Sequence, residues 1–196
     1  MFLDVLLGSK ATWRILVLMS ESPGMRLGRP EIKRLTHLGN NAVTESLKDL
    51  IVHGILTGKK DRKKTTYGLD LTNETAKLIL DLCVAERRRL NNLPYQYSLV
   101  LREYVRMVLS LCLPKRIILF GSVAKRVYRD DSDIDVAVIL EKELPAQTRL
   151  DMEDIAAKLN KRFSREIQQH FFTTDEFEKS EDRLVAEIRK DGIELL

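Results

Sequence analysis

The sequence predicts a mixed α/β (α+β) chain in two unlike halves, and three observations predict it. Two apolar strand patterns, Ile117–Phe120 and Ile134–Ile139, flank a Gly-Ser turn. Ahead of them, three helical patterns and then two short strand patterns occupy the chain up to Leu71. Charge also divides: residues 1–75 carry a net +4, residues 76–113 a net +3 and residues 114–196 a net −3. A basic front and an acidic back predict different partners for each half.

The elements follow in order. Ser9 is placed to cap a first helix through about Met19, which Pro23-Gly24 ends. Arg29-Pro30 opens a second helix, with proline in the first turn, where its missing N–H costs nothing. Ile32 and Leu35 form its apolar face. Gly39-Asn40 makes a turn, and a third helix runs from about Asn41 to Val52 with Val43, Leu47, Leu50 and Ile51 on one stripe. Gly54 ends it. Ile55-Leu56 and Thr66–Leu71 are short strands around a basic hairpin that holds Lys59, Lys60, Arg62, Lys63 and Lys64. Residues 73–92 read as a helix with apolar Ala76, Leu78, Ile79, Leu82 and Cys83, closed by Asn91, Asn92 and Pro94.

The second half begins near Tyr97 with an amphipathic helix that Pro114 stops. After the strand at 134–139 come a polar loop at Glu141–Pro145 and a helix over Asp151–Phe163. A strand over Glu166–Thr173 follows, then a closing helix over Asp175–Lys190, capped by Thr174 or Asp175 and ended at Gly192.

Composition bounds the function. A chain of 196 residues with 44% hydrophobic content builds a sizeable core rather than staying disordered. No apolar run is long enough to span a bilayer. Met1–Leu7 carries Asp4 and lacks a basic leader region, which argues against a signal peptide. Cys83 and Cys112 have no metal-ligand spacing and read as buried free thiols of a reducing, cytoplasmic compartment.

Chemistry concentrates between Leu119 and Val138. Asp133 and Asp135 stand two apart on a strand, so both carboxylates project from one face while Ile134 and Val136 point into a core. Side-by-side carboxylates repel unless a cation sits between them. Hard divalent ions bind through such carboxylates plus substrate phosphates. A Gly-Ser turn after a buried strand offers backbone N–H groups and a hydroxyl to phosphate.

The string Leu119-Phe120-Gly121-Ser122, then ten residues, then Asp133-Ile134-Asp135, resembles the minimal nucleotidyltransferases of the DNA polymerase beta superfamily. The resemblance covers roughly the last hundred residues. It implies a mixed sheet flanked by helices. Gly121, Ser122, Lys125 and Arg126 would hold a nucleoside triphosphate, and Asp133 and Asp135 would hold magnesium or manganese. Such enzymes usually carry a third carboxylate on the strand after the next helix. Here that position falls on Gln168, within Ile167-Gln168-Gln169-His170-Phe171. Glutamine is uncharged and a poor base. Glu166, two residues earlier, substitutes only if the register slips, and His170 shares its face.

The front half resembles the winged helix-turn-helix of archaeal and bacterial regulators, on Ala42–Leu50 and Val52–Leu56. That resemblance implies binding to double-stranded DNA. A recognition helix would present Asn41, Thr44, Glu45 and Lys48 to the major groove. The wing residues Lys59, Lys60, Arg62, Lys63 and Lys64 would meet phosphates. The expected organisation is a winged domain over 1–74, a linker or dimerisation helix over 75–96 and a nucleotidyltransferase domain over 97–196. The apolar stripe of the linker helix predicts a homodimer.

Three readings follow. One is a DNA-binding regulator whose transferase-type domain binds nucleotide with weak or lost activity. The second is an active enzyme moving a nucleoside monophosphate to a protein or small molecule. The third is an antitoxin-like partner of a HEPN toxin, a pairing the small nucleotidyltransferases imply. Gln168 favours the first.

Overall fold

A computed structural model of the protein describes residues 10–61, 64–90, 92–129 and 132–196. Ser9, Arg62, Lys63, Asn91 and the Met1–Leu7 segment lie outside the described residues. The chain divides into two compact units, one running to Arg88 and the other beginning at Arg89.

Among the described residues the first unit begins with α1 (Lys10–Glu21), in which every residue from Trp13 to Ser20 is buried. Burial extends to Arg14, whose guanidinium donates to the Thr36 carbonyl at 3.3 Å. After the two-residue strand β1 (Leu27–Gly28) come α2 (Arg29–Thr36) and α3 (Asn40–Val52). Gly28 caps α2, and its N–H donates to Glu31 at 2.8 Å, with Pro30 in the first turn. Val43, Leu47 and Leu50 of α3 are buried, as their spacing predicts. Ile51 is not: it sits on the exposed side of the stripe, and Leu35 of α2 is only half-buried.

β2 (Leu56–Asp61) and β3 (Lys64–Leu69) pair antiparallel, and β1 adds to β3, giving the order β1-β3-β2. Arg26 ties this sheet together. Its guanidinium donates to the Thr57 carbonyl at 2.7 Å and to the Thr66 carbonyl at 2.9 Å. The unit closes on α4 (Glu74–Arg89), which spans less than the 73–92 of the sequence pattern. Its Ala76 and Cys83 are buried, whereas Leu78 and Leu82 are 64% and 48% exposed.

The second unit contains α5 (Tyr95–Leu111), β4 (Arg116–Phe120), the short α6 (Gly121–Lys125) and β5 (Ile134–Leu140). Then come α7 (Ala146–Phe163), β6 (Ile167–Thr173), α8 (Thr174–Lys179), α9 (Arg183–Asp191) and β7 (Ile193–Glu194). The four strands form a mixed sheet in the order β6-β5-β4-β7. β4 runs antiparallel to both β5 and β7, and β5 is parallel to β6 through the α7 crossover. β5 is apolar almost throughout because both its faces are covered.

One face packs on α5 and α7, where the Tyr104 hydroxyl donates to Gln169 at 2.9 Å and Gln169 donates to the Met152 carbonyl. On the other face Ile118, Phe120, Ala137 and Ile139 cluster with Phe177 of α8 and Val185 and Ile188 of α9.

Four further expectations need correction. The closing helix is two helices, because Asp182 caps a new one: its carboxylate accepts from the Leu184 N–H at 2.7 Å. Thr173, rather than Thr174 or Asp175, caps the preceding helix in a reciprocal pair with Glu176. α7 starts at Ala146, just after Pro145, rather than at Asp151. Cys83 is buried, but Cys112 is half-exposed at the end of α5.

Candidate functional site

Gly121 follows directly on β4 and adopts φ +70°, a left-handed conformation suited to glycine. The reason is specific. A Cβ on Gly121 would collide with the carboxylate of Asp135, so the turn and that aspartate are fitted to each other. The sheet register sets this contact, since Phe120 pairs with Asp135 across β4 and β5. The Ser122 carbonyl accepts from the Val127 N–H at 3.0 Å, and its hydroxyl has no protein partner among the described residues.

Asp133 lies one residue before β5. Just before it, the Arg129 N–H donates to the Ser132 hydroxyl at 2.8 Å, and the Ser132 N–H donates to the Arg129 carbonyl. Asp135 is on β5 itself, half-buried. Burial pushes its carboxyl above the ordinary range. Asp133 and Glu187 push the same way, and His170 pulls against them.

The register pairs Asp135 with Gln168 and Ala137 with His170. Gln168 therefore occupies the place beside the two aspartates, and its amide donates to Asp133 Oδ2 at 2.6 Å. Glu166 stays outside β6, exposed, with its carbonyl accepting from the Ile134 N–H at 2.9 Å. His170 stands edge-on to Phe120, with ring centroids 5.2 Å apart. Among the described residues, no three His, Cys, Asp or Glu side chains group as metal ligands.

The two basic residues after the turn part company. Lys125 is held by α9, 2.6 Å from Glu187 and 3.6 Å from Asp191. The hydrogen bond it donates to Glu187 holds its ammonium above the usual lysine range. Arg126 is exposed, at φ +59°, with no side-chain partner among the described residues. The sequence reading missed Glu187 and Asp191. The available signal was an acidic pair four apart on one helix face, but nothing local connects it to Lys125.

The strand-turn-strand with two carboxylates and a glycine fitted against one of them coincides with a match to a known family. The family, described as Polymerase beta, Nucleotidyltransferase, matches residues 113–196. Residues 113–196 form a Polymerase beta nucleotidyltransferase domain. No curated protein matches the chain.

Among solved structures, a toxin–antitoxin crystallised with AMP-PNP is 20% identical, with a TM-score of 0.39, covering 49% of this chain and 72% of that one. An adhesin competence repressor from Streptococcus pyogenes is 24% identical, with a TM-score of 0.37, covering 50% of this chain and 74% of that one.

Outside the nucleotidyltransferase domain, the residues predicted for DNA contact lie on α3 and the β2–β3 hairpin. Asn41, Glu45 and Lys48 are exposed on α3. Thr44 is engaged internally: its hydroxyl donates to the Asn40 carbonyl at 2.9 Å and accepts from Arg29 at 3.4 Å. Lys59, Lys60 and Lys64 are exposed on the hairpin, with Lys59 opposite Thr66 and Lys64 opposite Asp61. Among the described residues, no helix is long and apolar enough to cross a membrane.

Proposed function

We propose that this is a DNA-binding protein whose nucleotidyltransferase domain binds a nucleoside triphosphate with magnesium and performs little or no transfer. The observation that carries the reading is the Gln168 amide on Asp133, at the place where a third carboxylate is expected. Asp133 and Asp135 supply hard oxygen donors that suit magnesium or manganese, and both would hold it. A bound divalent cation neutralises phosphate charge. Gly121, Ser122 and Arg126 would meet the triphosphate.

Gln168 cannot take a proton from an acceptor hydroxyl. Its amide also consumes one carboxylate oxygen of Asp133 and adds no charge, which disfavours a second cation.

The DNA reading is supported by exposed Asn41 and Lys48 on one helix and exposed Lys59, Lys60 and Lys64 on the following hairpin, an arrangement that fits a winged helix. A homodimer through α4 is supported by Leu78 and Leu82, one turn apart and both exposed.

A second reading is an active transferase that moves a nucleoside monophosphate to a protein or small molecule. His170 favours it, because it lies on β6 beside Asp135, where a general base for the acceptor would stand.

Calorimetry with ATP and magnesium, paired with transfer of label from ATP in cell extract, separates the two. Binding without transfer is the expected result. Efficient labelling of an acceptor selects the second reading, and absence of binding removes both.

A further inference from the structure

Lys125 sits one helical turn beyond Gly121, where the ammonium of a nucleotide site is wanted, yet the chain itself neutralises it. Glu187 and Asp191, one turn apart on α9, hold the ammonium at 2.6 Å and 3.6 Å. Two carboxylates on one ammonium leave a net negative cluster beside the turn. All three side chains are about one-third exposed, at 36%, 35% and 33%, so a ligand from solvent can reach them.

We propose that Glu187 and Asp191 form an autoinhibitory clasp on Lys125, which a bound triphosphate opens by taking the ammonium from them. The inference rests on the nucleotide-site reading of Gly121-Ser122 and the two aspartates. A partly exposed ion pair adds little net stability, so exchange for a more highly charged polyphosphate is within reach.

On exchange, α9 loses an ion-pair tie to α6, which carries nucleotide occupancy to the last helix.

A double-mutant cycle on the full-length protein tests the clasp, with ATP and magnesium as the probe, AMP as the control and calorimetry as the readout. The double variant Glu187→Gln/Asp191→Asn is expected to bind ATP about two- to fivefold tighter than wild type. AMP affinity should not change. The single Glu187→Gln should account for most of the gain, since its contact is the shorter.

Lys125→Met should weaken ATP binding, and adding the two acidic substitutions to it should then gain nothing. A gain that persists without Lys125 would mean simple relief of negative charge and overturns the clasp. So does an unchanged ATP affinity in the double variant, which leaves the nucleotide reading standing if wild type binds ATP. If neither protein binds ATP, both ideas fail together. A melting curve for each variant confirms that it is folded.

Discussion

The side-chain amide of Gln168, on β6, donates at 2.6 Å to Oδ2 of Asp133, one residue before β5. A carboxylate at that position would repel Asp133, whereas the amide satisfies it. The pair is thus stable without a cation.

Gln168→Asp should reverse that balance. It removes a hydrogen bond to a charged group and places a third carboxylate beside two others, a loss of about 1 kcal/mol at this exposed position. The melting temperature should fall by several degrees in chelator and recover with magnesium or manganese. Label transfer from ATP should rise from the wild-type level. A variant that melts identically with and without cation contradicts the proposed site.

Much of this site was legible because its parts are local. Gly121-Ser122 and Asp133/Asp135 are separated by one turn and one short segment, and period-two geometry alone puts both carboxylates on one face. Gln168 was found from strand order, and the register confirms it opposite Asp135. The ion pairs of Lys125 were not legible, because Glu187 lies 62 residues on in the chain. The helix that carries it was itself misread as part of a longer one. The break falls at Ser180, Glu181 and Asp182, where Ser180 ends one helix and Asp182 caps the next. In the front half, periodicity found the core of α3, but it placed Ile51 inside because it sits at the border of the stripe.

Gly121→Ala should cost the domain both stability and ligand binding. Left-handed backbone in alanine costs about 1–2 kcal/mol. The new Cβ also meets the Asp135 carboxylate, and such overpacking costs about 1–3 kcal/mol more. The expected readout is a lowered melting temperature and loss of magnesium-dependent ATP binding. Retained binding at wild-type affinity would show that Asp135 does not face the nucleotide.

Asp135→Asn should raise the melting temperature in chelator at neutral pH. The sign follows from the raised carboxyl, which burial favours in its protonated form. Its stabilising contribution is present below the ordinary carboxylate range, about pH 4, and is lost as pH rises through the raised folded value. At pH 7 the wild type therefore carries a cost that asparagine lacks. The gap between the two melting curves should close as the pH falls into the acid range. With saturating magnesium and ATP the order should invert, because only the wild type gains from binding. A wild type that melts higher in chelator at pH 7 contradicts the account.

Leu78→Glu/Leu82→Glu should convert a dimer into a monomer. The two leucines lie one turn apart on α4 and both are more than 45% exposed, at 64% and 48%. Removing them from the surface should leave the fold intact, since Ala76 and Cys83 on the buried side are untouched. Light scattering at micromolar concentration reads the mass. A monomeric wild type rejects the dimer, and a dimeric variant places it elsewhere.

The hairpin lysines should bind DNA without reading it. Lys59, Lys60 and Lys64 are exposed on adjacent strands and have long flexible stems suited to phosphate. Each phosphate contact releases condensed counterions, so the logarithm of affinity falls with the logarithm of salt by about 0.9 per contact on duplex DNA. Replacing the three lysines with alanine should lower affinity for every duplex alike. The slope should flatten by about 0.9 for each lysine that touches a phosphate. Asn41→Ala and Lys48→Ala should behave differently. These residues are exposed on α3, which the DNA-binding proposal would lay in the major groove, and loss of a base contact there would cost about 1–3 kcal/mol at one position of the site. Retardation of genomic fragments across a salt series separates the two classes. If the wild type retards no fragment at low salt, α3 and the hairpin are not a DNA surface. If the lysine variant loses affinity only for particular sequences, the hairpin is reading bases rather than phosphates.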